Sequence, residues 1–231
     1  MKSLNKFIPY GKQSISEEDI ENVISALKSP LITQGPLCKE FESKIAKKIG
    51  SPYGVAVNSA TSALHIACIA LGLKKGDILW TSPISFVASA NCALYCGAKI
   101  DFVDIDPNSG LMSIEKLKEK LTIAELNNKL PKIIIPVHLT GSSCNMKEIF
   151  KLSKKYNFKI IEDASHAIGG KYKDQYVGNC KYSSVCVFSF VLSYAVFRIL
   201  KETIGLRISK SAERLGTDKA EVGVSAYSIR D

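Results

Sequence analysis

The sequence predicts an α/β fold: a mainly parallel β-sheet with helices on both faces. Three observations lead there. Short β-branched runs alternate with helix-patterned stretches between residues 54 and 190. Several runs, "KIIIPV" above all, are nearly continuously apolar, which suits strands buried on both sides. The composition, 46% hydrophobic and 23% charged over 231 residues, supplies a core within the ordinary globular range. That length accommodates one large domain or two small ones.

Taken in order, "SISEEDIENVISALKS" reads as a capped helix. Ser14 or Ser16 would cap it, and acids in its first turn complement the helix dipole. "PLITQGPLCKEFESKIAKKIG" follows as a Pro/Gly turn and a second helix. The expected strands are "YGVAVNS" (53–59), "DILWTS" (77–82), "KIDFVDID" (99–106), "KIIIPVHLT" (132–140), "FKIIEDAS" (158–165) and "SSVCVFSF" (183–190). Between the first five lie helical stretches such as "SALHIACIALGL" and "IEKLKEKLTIAELNNKL". No internal repeat or low-complexity tract interrupts them.

Charge and cysteine usage narrow the function class. The formal charge is +9, but the lysines are dispersed and mostly lie near acids on solvated helix faces. Such a surface suits an anionic substrate or cofactor better than a nucleic acid. The seven cysteines form no CxxC pair and no zinc-ligand spacing, so neither a disulfide framework nor a metal site is expected. Most sit among apolar residues, where a free thiol acts as a small hydrophobe. With no export signal at the N-terminus, the expected setting is cytoplasmic. The uncharged run 182–197 is shorter than the roughly 20 residues of a membrane span, so a buried strand running into an apolar tail is expected there.

In an open parallel sheet, ligands bind beyond the carboxyl ends of the strands. "NSATSALH" (58–65) ends the first strand and opens a helix. The backbone amides at that helix start and the Thr61 and Ser62 hydroxyls could cradle a phosphate, or the stretch could be a plain Ser/Thr cap. Phe86, after the proline turn of "SPISF", could stack on a planar ring or belong to the core. His138 falls at a loop mouth, but structural histidines outnumber catalytic ones, so the position alone assigns it no catalytic role. In "FKIIEDASHAIGG", Glu162 and Asp163 end an apolar strand with His166 close behind. A carboxylate there needs a partner. A protonated pyridine nitrogen would serve, as in pyridoxal phosphate enzymes; backbone amides are the alternative.

Taken together, "IPYGKQSISEEDI", "LITQGP", "VNSATSALHIACIALGL", "TSPISFVASANCALYCGAKIDFVDID", "IPVHLTG", "IIEDASHAIGG" and "VGNCKYSSVCVFSF" are spread along residues 8–190. In this combination the chain resembles the DegT/StrS-type sugar-nucleotide aminotransferases. More narrowly, it resembles transaminases of UDP-4-keto-6-deoxy-N-acetylamino sugars in pseudaminic acid biosynthesis. The resemblance implies the fold type I aminotransferase large domain, with a seven-stranded type of sheet, over residues 1–190. It implies pyridoxal 5'-phosphate as cofactor, glutamate as amino donor, ping-pong transamination and a homodimer. Ala60 and Thr61 would hold the cofactor phosphate, with Ser189 adding a contact. Phe86 would stack on the ring, Asp163 would bind its nitrogen, and His166 would lie on the 3-hydroxyl side. The turn Thr33–Pro36 would sit near the site's mouth.

The resemblance also exposes a departure. The family places its Schiff-base lysine four residues beyond "FSF", and Tyr194 stands at that position. Three explanations follow: a shifted reading frame or recombined gene end after residue 190, a lysine-free homologue resembling the sugar dehydratases, or a displaced nucleophile at Lys201. Residues 191–231 are expected to be a divergent tail with the small C-terminal domain largely missing. A chain of that kind would be inactive by itself. It would be either a cofactor-binding remnant or a dimer partner.

Overall fold

The computed structural model describes residues 15–33 and 35–189. Helix α1 (Glu17–Leu27) belongs to a unit separate from residues 29–189 and is described by itself. Ser16 is its N-cap, within a reciprocal capping box. The Asp19 N–H donates to Ser16 Oγ, and the Ser16 N–H donates to Asp19 Oδ2 at 2.8 Å. That backbone donor holds the exposed Asp19 carboxyl below its ordinary range. Ser14 lies outside the described residues.

Helix α2 (Pro36–Ile49) starts with proline at its first turn, where the missing N–H costs nothing, and ends on Gly50 at φ 77°. Then follow α3 (Ala60–Ala70), β1 (Ile78–Thr81), α4 (Ala88–Tyr95), β2 (Lys99–Phe102), α5 (Ile114–Leu126), β3 (Ile133–Ile135), α6 (Met146–Tyr156) and β4 (Lys159–Asp163). A small antiparallel hairpin, β5 (Lys171–Tyr172) and β6 (Gln175–Tyr176), precedes β7 (Val185–Val187). The main sheet runs β2-β1-β3-β4-β7, and every pairing in it is parallel.

Successive strand residues face opposite sides of a sheet, and each side here meets two helices. Leu79, Ile133, Ile135, Ile161 and Val187 share a core with residues of α3 and α4. Trp80, Ile134 and Ile160 share another with Leu117 and Leu121 of α5 and Ile149 and Leu152 of α6. This two-sided burial is why "KIIIPV" carries no polar alternation. Cys68, Cys92 and Cys144 are buried in these cores as free thiols. No helix among the described residues is long and apolar enough to cross a membrane.

The open edge at β2 is blunted from within. Phe102 N–H turns to Asp101 Oδ1, while Lys120 Nζ takes the Phe102 carbonyl at 2.7 Å and pairs with Asp101 at 2.7 Å. Occupied groups of this kind discourage edge pairing.

The expected strand 53–59 does not form among the described residues. A strand needs a ladder partner, and the sheet's two edges are β2 and β7. The segment is coil; Val55 is 79% exposed, and the Ala56 N–H donates to the Glu42 carboxylate at 2.8 Å. The chain passes so close to α2 there that a Cβ at Gly54 would lie 2.6 Å from the Glu42 carbonyl. The other five expected strands form with shorter bounds. Phe190 and residues 191–231, including the expected divergent tail, lie outside the described residues.

Candidate functional site

The parallel sheet brings its carboxyl ends to one margin, and Asp163 closes β4 there at 4% exposure. Strand alternation puts Asp163 on the side of Ile161, facing α3 and α4. Its neighbour Glu162 takes the side of Ile160, facing α5 and α6.

Three donors meet the Asp163 carboxylate. Ser89 Oγ, fully buried on α4, donates to Oδ2 at 2.6 Å. The Ser165 hydroxyl donates to Oδ1 at 2.7 Å and the Ser165 N–H to the same oxygen at 3.2 Å. An ionised carboxylate offers about four acceptor positions, so one remains, on Oδ2. Backbone amides alone therefore do not satisfy this group; two hydroxyls do most of that work.

On the same side of the sheet, α3 begins with Ser59 as N-cap. Its Oγ accepts from the Ser62 N–H at 3.1 Å and lies 3.0 Å from Ser62 Oγ. The Ser/Thr cap is present. Ser59 and Ser62 occupy each other, while the N–H groups of Ala60 and Thr61 and the Thr61 hydroxyl have no partner among the described residues. Free first-turn amides with the positive end of the helix dipole favour an anion. Ala60 packs against the core that contains Ile161 and Val187, tying this helix start to the Asp163 face.

Phe86 is not a core residue. It is 72% exposed on the loop entering α4, leaving its ring free to stack. His166 is exposed, just beyond β4. Ser189 is half-buried beyond β7. Neither side chain makes a hydrogen bond among the described residues. Thr33 is exposed, Gln34 lies outside the described residues, and Pro36 opens α2. Tyr194 and Lys201 also lie outside.

His138 resolves to a structural role on the opposite side of the sheet. Its Nδ1 accepts the Cys144 N–H at 3.2 Å, so Nε2 carries the hydrogen and donates to Glu162 Oε2 at 2.9 Å. Ser183 Oγ donates to Glu162 Oε1. The residue that sequence reasoning missed is Ser89. Its only signal was a hydroxyl inside a helix of mostly small and apolar residues, "ASANCALY".

The sequence profile of the DegT/DnrJ/EryC1/StrS aminotransferase family matches residues 13–195. A UDP-4-amino-4,6-dideoxy-N-acetyl-beta-L-altrosamine transaminase of Campylobacter jejuni is 42% identical over 79% of this chain and 47% of its own length. The spore coat polysaccharide biosynthesis protein SpsC of Bacillus subtilis is 34% identical over 80% of this chain and 46% of its own. Among solved structures, Helicobacter pylori PseC, an aminotransferase of pseudaminic acid biosynthesis, superposes with a TM-score of 0.72 at 32% identity, covering 80% of this chain and 48% of that one. NtdA of Bacillus subtilis, solved with bound cofactor PMP, gives a TM-score of 0.63 at 29% identity over 74% and 38%. The chain spans about half the length of the curated relatives it matches. It belongs to the DegT/DnrJ/EryC1/StrS aminotransferase family, whose cofactor is pyridoxal 5'-phosphate.

Proposed function

We propose that this family member carries the cofactor-binding domain of a sugar aminotransferase acting on a UDP-4-keto-6-deoxy-N-acetylamino sugar, with glutamate as amino donor. The observation that supports it most is the buried Asp163 carboxylate. Three donors fix it, and one acceptor position on Oδ2 is left over. A group so placed fits a cationic ring N–H, because a buried charge with spare acceptor capacity is costly without a donor.

When bound, pyridoxal phosphate supplies an electron sink through which an amine passes between glutamate and a sugar ketone. This chain's residues would prepare the site for it. Asp163 keeps a proton on the ring nitrogen. The amides of Ala60 and Thr61 hold the phosphate at the start of α3, with Ser189 as a further contact. Phe86 covers one ring face and excludes water from it, and His166 lies beside the 3-hydroxyl. A homodimer completes the proposed assembly.

Tyr194 sets the limit of the proposal. A phenol forms no covalent link to the cofactor aldehyde and is a poor proton shuttle near neutral pH. The chain as it stands therefore binds cofactor without turning over. The same residue supports a second reading, a lysine-free homologue with dehydratase-like chemistry. Pyridoxamine phosphate is the discriminating probe, because it needs no lysine. Titration of the full chain, followed by absorbance and fluorescence, is expected to show saturable and reversible binding. Treatment with pyridoxal phosphate and borohydride is expected to label no single lysine stoichiometrically. Efficient labelling at Lys201 with transaminase activity would contradict the inactivity, and absence of pyridoxamine phosphate binding would contradict the cofactor site.

A further inference from the structure

We infer that Ser89 is a positioning residue for Asp163 and that Ser85 stands behind it in a directed hydroxyl relay. This rests on the cofactor site proposed above. The direction follows from counting protons. A carboxylate only accepts, so the single Ser89 hydrogen goes to Asp163 Oδ2, 2.6 Å away. The Ser85–Ser89 contact at 2.9 Å, whose donor geometry alone does not decide, must then run from Ser85 to Ser89. The chain of donors is Ser85 to Ser89 to Asp163, and a hydroxyl that accepts while donating becomes a stronger donor.

The relay ends on the oxygen that keeps the spare acceptor position. Oδ1 is filled by the two Ser165 donors, whereas Oδ2 has the Ser89 hydroxyl and one open position. Oδ2 is thus the atom that addresses the ring nitrogen, and Ser89 sets both its place and its basicity. With the hydroxyl present, charge on Oδ2 is partly committed, so the shared proton stays with the ring. Without it, Oδ2 is the stronger base and draws that proton towards itself. Ser89 is held at the first turn of α4, whose Ala88, Cys92 and Ala93 are buried in the core beneath. Ser85 and Phe86 lie on the loop leading into the same helix, so one element presents both the relay and the exposed ring.

The test uses the full chain and pyridoxamine 5'-phosphate labelled with 15N in its ring. Affinity is read by titration and ring protonation by the nitrogen signal. Ser89→Ala is expected to weaken binding on the order of tenfold, the scale of one charge-assisted hydrogen bond, and to move the signal towards neutral pyridine. Ser89→Thr, which keeps the hydroxyl, restores both. Ser85→Ala, at a half-buried position, gives a smaller shift in the same direction with the fold intact. A Ser89→Ala protein matching wild type in affinity and signal would overturn the relay and leave the cofactor site standing. A lowered melting temperature with an unmoved nitrogen signal would reduce Ser89 to a core residue and overturn it too. If the unaltered chain bound no pyridoxamine phosphate, the cofactor site itself would fall, and the relay with it.

Discussion

Glu162 and Asp163 are neighbours on one strand, equally buried, yet they face two differently finished sides of the sheet. On the α5/α6 side, Glu162 meets the imidazole of His138 and the hydroxyl of Ser183, and His138 is itself held by the Cys144 N–H. Both Glu162 oxygens are thus engaged by other side chains, and His138 is fully buried. On the α3/α4 side, among the described residues, Asp163 keeps an open acceptor position, Ala60 and Thr61 keep free amides, and Phe86 is exposed. Burial and charge do not distinguish the two carboxylates. The groups around them do: the side that holds Asp163 also carries first-turn amides without partners among the described residues, and unpaired groups in a native structure call for an explanation such as a ligand.

Four substitutions or conditions would break or sharpen this contrast. The largest effect is expected from Asp163→Asn. It removes the charge opposite a cationic ring and should weaken pyridoxamine phosphate binding by about a hundredfold, with a small change in urea midpoint. Loss of stability without loss of binding would put Asp163 on the structural side of the comparison. Glu162→Ala should do the reverse. It strands the buried His138 N–H and the Ser183 hydroxyl, costing about 3 kcal/mol in urea unfolding. Cofactor affinity of the folded fraction should stay near wild type.

Phe86→Ala should weaken cofactor binding several-fold, since ring stacking contributes about 1 kcal/mol. At 72% exposure the same change should leave the melting temperature within experimental scatter. The smallest effect belongs to Cys144, buried beside Glu162. Burial is the largest influence on its thiol, which is pushed up to about 12 from an ordinary 9.0. A thiol raised in the folded state contributes stability that is complete below pH 9 and fades as pH climbs towards 12. Urea midpoints should therefore hold steady up to about pH 9 and decline above it. A Cys144→Ala protein should lose part of that decline. Among thiols titrated with a disulfide reagent at pH 8, exposed Cys38 should react before the buried Cys68, Cys92 and Cys144.

Several site elements could be read from composition and spacing. Asp163 stood out because two acids at the end of "FKII" have no apolar explanation. The α3 start stood out because Ser and Thr crowd the first turn of an apolar helix. Other features could not be read this way. His138 lay close to a candidate loop mouth in sequence, and only its contacts with Glu162 and Cys144 in the folded chain show its ring on the opposite side. Ser89 sits 74 residues from Asp163, and no periodicity in α4 singles it out. The run 53–59 had strand composition but no ladder partner among the described residues, and its valines stayed in solvent. The hairpin at Lys171–Tyr176 joins two-residue strands, too short for alternation to register.

Local chemistry in the sequence was enough to determine the alternation of strand and helix, the capped starts of α1 and α3 and the apolar cores. These depend on contacts between near neighbours and on burial patterns with a fixed period. Tertiary structure alone decided which of two adjacent carboxylates meets His138 and which meets Ser89, and whether an apolar run would find a partner. Those outcomes depend on groups far apart in the chain meeting within hydrogen-bonding distance, and residue spacing carries no record of such meetings.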